Sequence, residues 1–334
     1  MISLLLLRPP PSCAPSLAAL PRLVSSKNRA ALWSCNKSKR RSTTITTTTS
    51  CFYKADDKPK PTSASDDKGS EVKWPILQRW DVPWAWPTVS LTMLACAVSF
   101  VLTGLVEASL LPYLSSEGMQ LSLDEKAKIL FVDQFFETAA VLGVIYGITN
   151  NFQPLPEDLF YCDLRDPFTL RDGWLLWAGI GVLGALIAIA LTGVALNIFQ
   201  GENPQRETDA LVILLPLIGS SSISTAYLVG ITGVLAPILE ETVFRGFLMV
   251  SLTKYLPTPV SVLITAALFA AAHLTPGEFP QLFILGTVLG FSYAQTRNLL
   301  TPIFIHATWN TGVILILTLL QVLGYDIREL LQAS

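Results

Sequence analysis

The fold is decided by the run from Tyr227 to Leu252, YLVGITGVLAPILEETVFRGFLMVSL, and above all by its centre, Leu239-Glu240-Glu241-Thr242-Val243-Phe244-Arg245-Gly246-Phe247. The stretch is long enough to cross a bilayer, yet it carries three ionisable side chains at its middle. At that depth such a group costs roughly 2.5–3.5 kcal/mol on insertion scales, so it marks a functional site by default. The rest of the chain is read as what brings partners to Glu240.

Composition supports a membrane reading of the whole chain. Of 334 residues, 51% are hydrophobic and 14% are charged, against about 25% charged in a soluble domain. Several apolar runs reach spanning length, which predicts an all-α, polytopic transmembrane bundle of about seven or eight spans. A barrel's alternating pattern is absent. A net charge of −2 offers no basic surface for nucleic acid.

The first 55 residues are different. They hold no Asp or Glu, scattered Arg and Lys, and the tract Ser42-Thr43-Thr44-Ile45-Thr46-Thr47-Thr48-Thr49-Ser50. An acid-poor, hydroxyl-rich leader reads as an organellar transit peptide, and the Ser/Thr bias favours a chloroplast address. A secretory signal fits less well, because its apolar core, Ile2 to Leu7, is too short. Residues 56–87 read as a linker followed by an interfacial aromatic segment with Trp74, Trp80, Trp84 and Trp86. Five cysteines contain no C-x-x-C pair, so neither a cysteine-held metal nor a disulfide framework is indicated. The last residues, Leu331-Gln332-Ala333-Ser334, form no prenylation box.

Residues 88–208 read as N-terminal transmembrane helices. Thr88 to Val106 is the first. Ser122-Leu123-Asp124-Glu125 caps a second, with Asp133 and Glu137 sharing one face toward water or a neighbouring helix. Asn150 to Asp172 is a polar loop, and Trp174 to Ile198 a charge-free span. The stretch from Leu211 to Leu217 is broken at Gly219-Ser220-Ser221-Ser222. Residues 209–323 then hold the run around Glu240, a helix from Val260 to His273, one from Phe279 to Ala294, and a last helix through Pro302. Residues 324–334 are a tail.

Only two histidines occur, His273 and His306. Each lies late in the chain on an apolar helix, with a same-face companion: Phe269 four residues before His273, Asn310 four residues after His306. A single such histidine is usually a hydrogen-bonded core residue; two, beside a membrane Glu-Glu pair, favour one shared site. Adjacent glutamates on a helix point about 100° apart, so Glu240 and Glu241 cannot both face one cavity squarely. Glu241 pairs with Arg245 at i,i+4. Glu240, whose i+4 neighbour is Phe244, is left to take and give a proton. A carboxylate base, two imidazoles and an amide are the parts for attacking a carbonyl with water. One Glu and two His is also the ligand count of some catalytic zinc sites, and spacing alone does not separate the two. No H-E-x-x-H, G-x-S-x-G, phosphate loop or dinucleotide fingerprint is present.

Glu240-Glu241-x-x-x-Arg245, Phe269-x-x-x-His273 and His306-x-x-x-Asn310, in that order on successive hydrophobic helices, resemble the three motifs of the CPBP family. That family comprises the type II CAAX prenyl endopeptidases and the bacteriocin-processing and abortive-infection proteins. The resemblance covers about Asp209 to Leu323. It implies a CAAX prenyl protease-like helical bundle and a glutamate-dependent intramembrane endopeptidase. It makes Glu240, His273, His306 and Asn310 catalytic, gives Glu241, Arg245 and Phe269 supporting roles, and implies glutamate-dependent catalysis with no resident cofactor, leaving a divalent metal such as zinc open. The expected substrates are membrane proteins or lipidated peptides, prenylated CAAX-type proteins among them, met in the bilayer of a chloroplast envelope or thylakoid. Two other readings stand beside it: a non-catalytic scaffold or binding protein that stabilises a plastid membrane partner, with the polar set holding its own helices together, and a proton-coupled transporter, disfavoured by the missing internal repeat.

Overall fold

The computed structural model describes residues 75–116, 121–200 and 216–325. The leader, most of the linker, the stretches 117–120 and 201–215 and the residues after 325 lie outside it. Among the described residues there are seven long helices and no strand. We number them α1 (Trp86–Ser116), α2 (Leu123–Thr149), α3 (Trp174–Gln200), α4 (Ser222–Thr253), α5 (Thr258–Ala272), α6 (Phe279–Thr296) and α7 (Leu300–Val322).

Five of them, α1 to α4 and α7, are long and apolar enough to cross a membrane. Most of the stretch from Leu211 to Leu217 lies outside the described residues, which hold seven helices against the expected seven or eight spans, two of them outside that criterion. The clearer case is α5, with 15 residues, about 22 Å of rise against a hydrocarbon core of ~30 Å. Hydroxyls inside these helices are satisfied locally. Thr92, Ser99, Thr138 and Thr149 each donate to the carbonyl four residues back, which removes the cost of carrying an unpaired O–H into lipid.

At the start of α2, the Ser122 hydroxyl accepts from the Glu125 amide while the Glu125 carboxylate accepts from the Ser122 amide, closing a capping box. Glu137 lies buried on the face toward α1, where it accepts from Thr103 at 3.3 Å and from Gln134 at 3.0 Å. It meets a neighbouring helix, not water.

α4 is the element the others surround. It packs against α2 on one side and against α5 and α7 on others. The break expected near Ser220 is a turn with Gly219 at φ 67°, after which the Ser221 hydroxyl caps the helix by accepting from the Ser224 amide. α4 is not uniform. Two π-helical stretches, Ile231–Leu235 and Thr242–Met249, flank the α-helical turn Ala236–Glu241 that carries both glutamates. Such widened turns are rare and recur at functional sites. α5 and α6 approach closely because Gly286 and Gly290 oppose Ala266 and Val262.

The aromatic segment before α1 behaves differently from an interfacial belt. Trp86 is half exposed, but Trp80 and Trp84 are buried in protein. Trp84 stacks on Phe247 and donates its indole N–H to Ser251 at 2.8 Å. Trp80 stacks on Tyr293 and donates to the Asp158 carbonyl. Both anchor the extended chain across the ends of α4 and α6.

Candidate active site

Glu240, Glu241 and Arg245 come from the centre of α4, His273 from the C-terminal cap of α5, and His306 and Asn310 from α7. α5 is shorter than a bilayer span, and the chain turns at its C-cap, His273. His273 itself is buried.

The two imidazoles are held by their Nδ1 atoms. His273 Nδ1 lies 2.8 Å from the Phe269 carbonyl oxygen, which can only accept, so this nitrogen carries the proton. His306 Nδ1 lies 2.8 Å from Glu241 Oε1, and donates to that carboxylate. In the neutral rings both Nε2 atoms therefore present lone pairs. Both point the same way: His273 Nε2 is 3.9 Å and His306 Nε2 3.8 Å from the same oxygen, Oε2 of Glu240. These separations exceed a direct hydrogen bond and suit a bridging water. Glu240 Oε2 is buried and makes no hydrogen bond among the described residues.

The 100° divergence of Glu240 and Glu241 expected of neighbouring helix positions is resolved by the ring of His306, which lies between them with Nδ1 on one carboxylate and Nε2 toward the other. Glu241 Oε1 also accepts from Arg245 Nη1 at 2.9 Å, the expected i,i+4 pair, with both side chains fully buried. Arg245 Nη2 donates to the Gly286 carbonyl on α6 at 3.0 Å. The guanidinium stands over the Phe269 ring, 4.6 Å from its centroid. That ring in turn meets His273 and His306 edge to face, at 4.7 and 5.7 Å. Phe269 thus holds both imidazoles and the arginine, a larger share of the site than a companion residue on one helix face suggested.

Asn310 is placed otherwise. Its Nδ2 donates at 2.9 Å to the carbonyl of Thr232, in the first π-helical stretch of α4. One of its two N–H groups is engaged there, which leaves the second for another acceptor. Nothing in the sequence singled out Thr232 or the Gly286 carbonyl, because a backbone acceptor carries no residue signature. Among the described residues no set of three His, Cys, Asp or Glu side chains is placed to hold a metal ion.

Comparison with known proteins bears on the same segment. Residues 222–312 match the family described as type II CAAX prenyl endopeptidase Rce1-like. A protein of Bacillus subtilis (strain 168), named "Putative membrane peptidase YdiL", is 26% identical over 155 residues, which is 44% of this chain and 61% of the relative. The chain therefore matches less than two thirds of that relative's length. No solved structure matches. The matched segment begins at the start of α4 and ends just past Asn310, so it contains every side chain described above.

Proposed function

We propose that this multi-pass membrane protein, whose residues 222–312 are Rce1-like, is an intramembrane endopeptidase with Glu240 as the carboxylate that activates water. The observation that carries the reading is the convergence of both imidazole Nε2 atoms on one buried carboxylate oxygen. A water held there donates one hydrogen to Glu240 Oε2 and the other to an Nε2 lone pair. Its own lone pair is then free to attack a peptide carbonyl. As the O–C bond forms, Glu240 takes the water's proton. As the C–N bond breaks, Glu240 passes that proton to the leaving amine. The free N–H of Asn310 is the donor available to the oxyanion, since neutral histidines in this tautomer accept and do not donate at Nε2. Glu241 and Arg245 act through His306 by fixing its tautomer and ring plane.

The substrates this fits are peptide bonds of membrane-associated proteins, with prenylated C-termini as one class, and the leader supports a chloroplast membrane as the place of action. Glu240→Ala is expected to abolish cleavage while the protein still accumulates. The decisive comparison is between membrane-protein termini in cells carrying wild type and cells carrying Glu240→Gln at matched levels. Termini that vanish only in the variant support a protease and identify its substrates; a prenylated cysteine among them supports the CAAX class. If no terminus changes while a partner protein still depends on the variant for its abundance, the site is a structural network and the protein a scaffold.

A further inference from the structure

The loop between α2 and α3 reads as polar in the sequence, yet it turns large apolar side chains outward. Leu164, Phe168 and Leu170 are 70%, 68% and 86% exposed. They are held in that posture. The Asp163 carboxylate accepts from the Tyr161 hydroxyl at 2.5 Å and from the amide of Arg165 at 2.9 Å. The Arg165 guanidinium beside it keeps the Asp163 carboxyl well below the usual carboxylate range, so this brace persists at neutral pH. Further along, the Thr169 hydroxyl donates to Asp172, and the Gly173 amide to the Thr169 carbonyl. Leu164 and Leu170 are each fixed by their carbonyls, which accept the indole N–H groups of Trp174 and Trp177 in the first turn of α3.

What covers these side chains is indicated by their continuity with α3. Beyond its two tryptophans, that helix turns Ile180, Leu183, Leu186, Ile187 and Leu191 outward, along a charge-free segment suited to lipid. Tryptophans at a helix end mark the headgroup level. The loop carries five acidic side chains, Glu157, Asp158, Asp163, Asp166 and Asp172, against two basic ones, Arg165 and Arg171, so its insertion rests on the apolar side chains and not on attraction to anionic headgroups.

We propose that the loop carrying Leu164, Phe168 and Leu170 is an interfacial anchor, inserted at the boundary of headgroups and acyl chains beside the start of α3. The anchor stands independently of the peptidase reading. It also bears on how α7 is held. The Leu299 amide donates to the Tyr161 carbonyl at 2.9 Å, and Asn298 Nδ2 to the Asp163 carbonyl at 2.6 Å. The loop's depth in the bilayer therefore sets the position of the turn from which the His306 helix begins.

The test places an environment-sensitive fluorescent amino acid at position 170, or at 168 in a second protein, in the full chain reconstituted in lipid nanodiscs. Position 157 serves as the solvent-facing control. The expected result is blue-shifted emission at 170 and 168 relative to 157, quenched more by lipids spin-labelled near the glycerol than by lipids spin-labelled near the chain end. Water-like emission overturns the proposal. So does blue-shifted emission that no spin-labelled lipid quenches, which would mean that protein covers the loop, and so does quenching strongest from the chain end.

Discussion

Glu241 and Arg245 are wholly buried and pair with each other, and the same carboxylate oxygen also receives the His306 N–H. Removing one member of a buried pair leaves an uncompensated charge, at a cost of about 3–5 kcal/mol, whereas removing both is often nearly neutral. Glu241→Gln is therefore expected to lower the unfolding free energy by about 3 kcal/mol or more. The double variant Glu241→Leu/Arg245→Met should recover most of that stability and remain inactive, because His306 has lost the acceptor that fixes its tautomer. Thermal unfolding in detergent, run beside a cleavage assay, checks both. A Glu241→Gln protein as stable as wild type would show that the pair is not what holds this region. Phe269 acts through its ring. Phe269→Leu keeps an apolar side chain but gives up the ring contacts to both histidines and to Arg245. Misplacing a reacting group by about 1 Å can cost ~100-fold, so turnover should fall by roughly 10- to 100-fold with little change in accumulation. An unchanged rate would remove Phe269 from the site's support.

At the scale of the element, the widened turns of α4 decide which face the glutamates present. Gly233 lies in the first of them, and a Cβ there would overlap Thr311 Oγ1 on α7, with the next atoms at 3.6 Å. Gly233→Ala must displace the Thr311 side chain, by rotating it or by shifting α7 just beside Asn310. Overpacking of this kind costs typically about 1–3 kcal/mol, and the displacement should lower turnover more than stability. Thr311→Ala in the same chain removes the clashing oxygen and leaves ordinary contacts, so the double variant should regain activity. Failure of that rescue, measured as cleavage at matched protein levels, would show that the packing of α4 on α7 does not position the site. This part of the fold was not legible in the sequence. A π-helical turn has no composition of its own, and Gly233 reads as one more small residue in a membrane helix. The pairing of Glu241 with Arg245 and the grouping of Phe269 with His273 were legible, because i,i+4 spacing fixes such contacts within one helix. Between helices, the grouping of both histidines with the Glu240-Glu241 pair was legible, but contacts to backbone acceptors, such as Asn310 with Thr232, were not.

At the scale of the whole molecule, the seven helices among the described residues were readable from apolar length, within an expectation of seven or eight spans, but which of their faces are buried was not. A helix in lipid is apolar on every side, so polarity separates core from surface poorly, and Trp80 and Trp84 read as belt residues although they are buried. Trp84 is covered by Phe247 and Phe152, and Trp80 by Tyr293 and by a clamp built by Arg297, in the turn between α6 and α7 at φ 51°. Its guanidinium pairs with Asp158, donates to the carbonyls of Gln78 and Arg79 at 3.0 and 3.1 Å, and stands 4.3 Å from the centroid of the Trp80 ring. One side chain thereby joins the segment before α1, the loop after α2 and the turn into α7. An ammonium cannot reproduce this, because the planar fork and the stacking belong to arginine. Arg297→Lys is expected to cost about 1–2 kcal/mol, the scale of a lost cation–π contact with its hydrogen bonds. The loss should appear locally, as faster protease cleavage between Ile76 and Trp86 in limited digestion read by mass spectrometry. Because the same turn begins the helix of His306, cleavage activity should fall in parallel. Equal digestion rates for variant and wild type would mean that Trp80 and Trp84 hold the segment by packing alone, with the arginine adding nothing to the clamp.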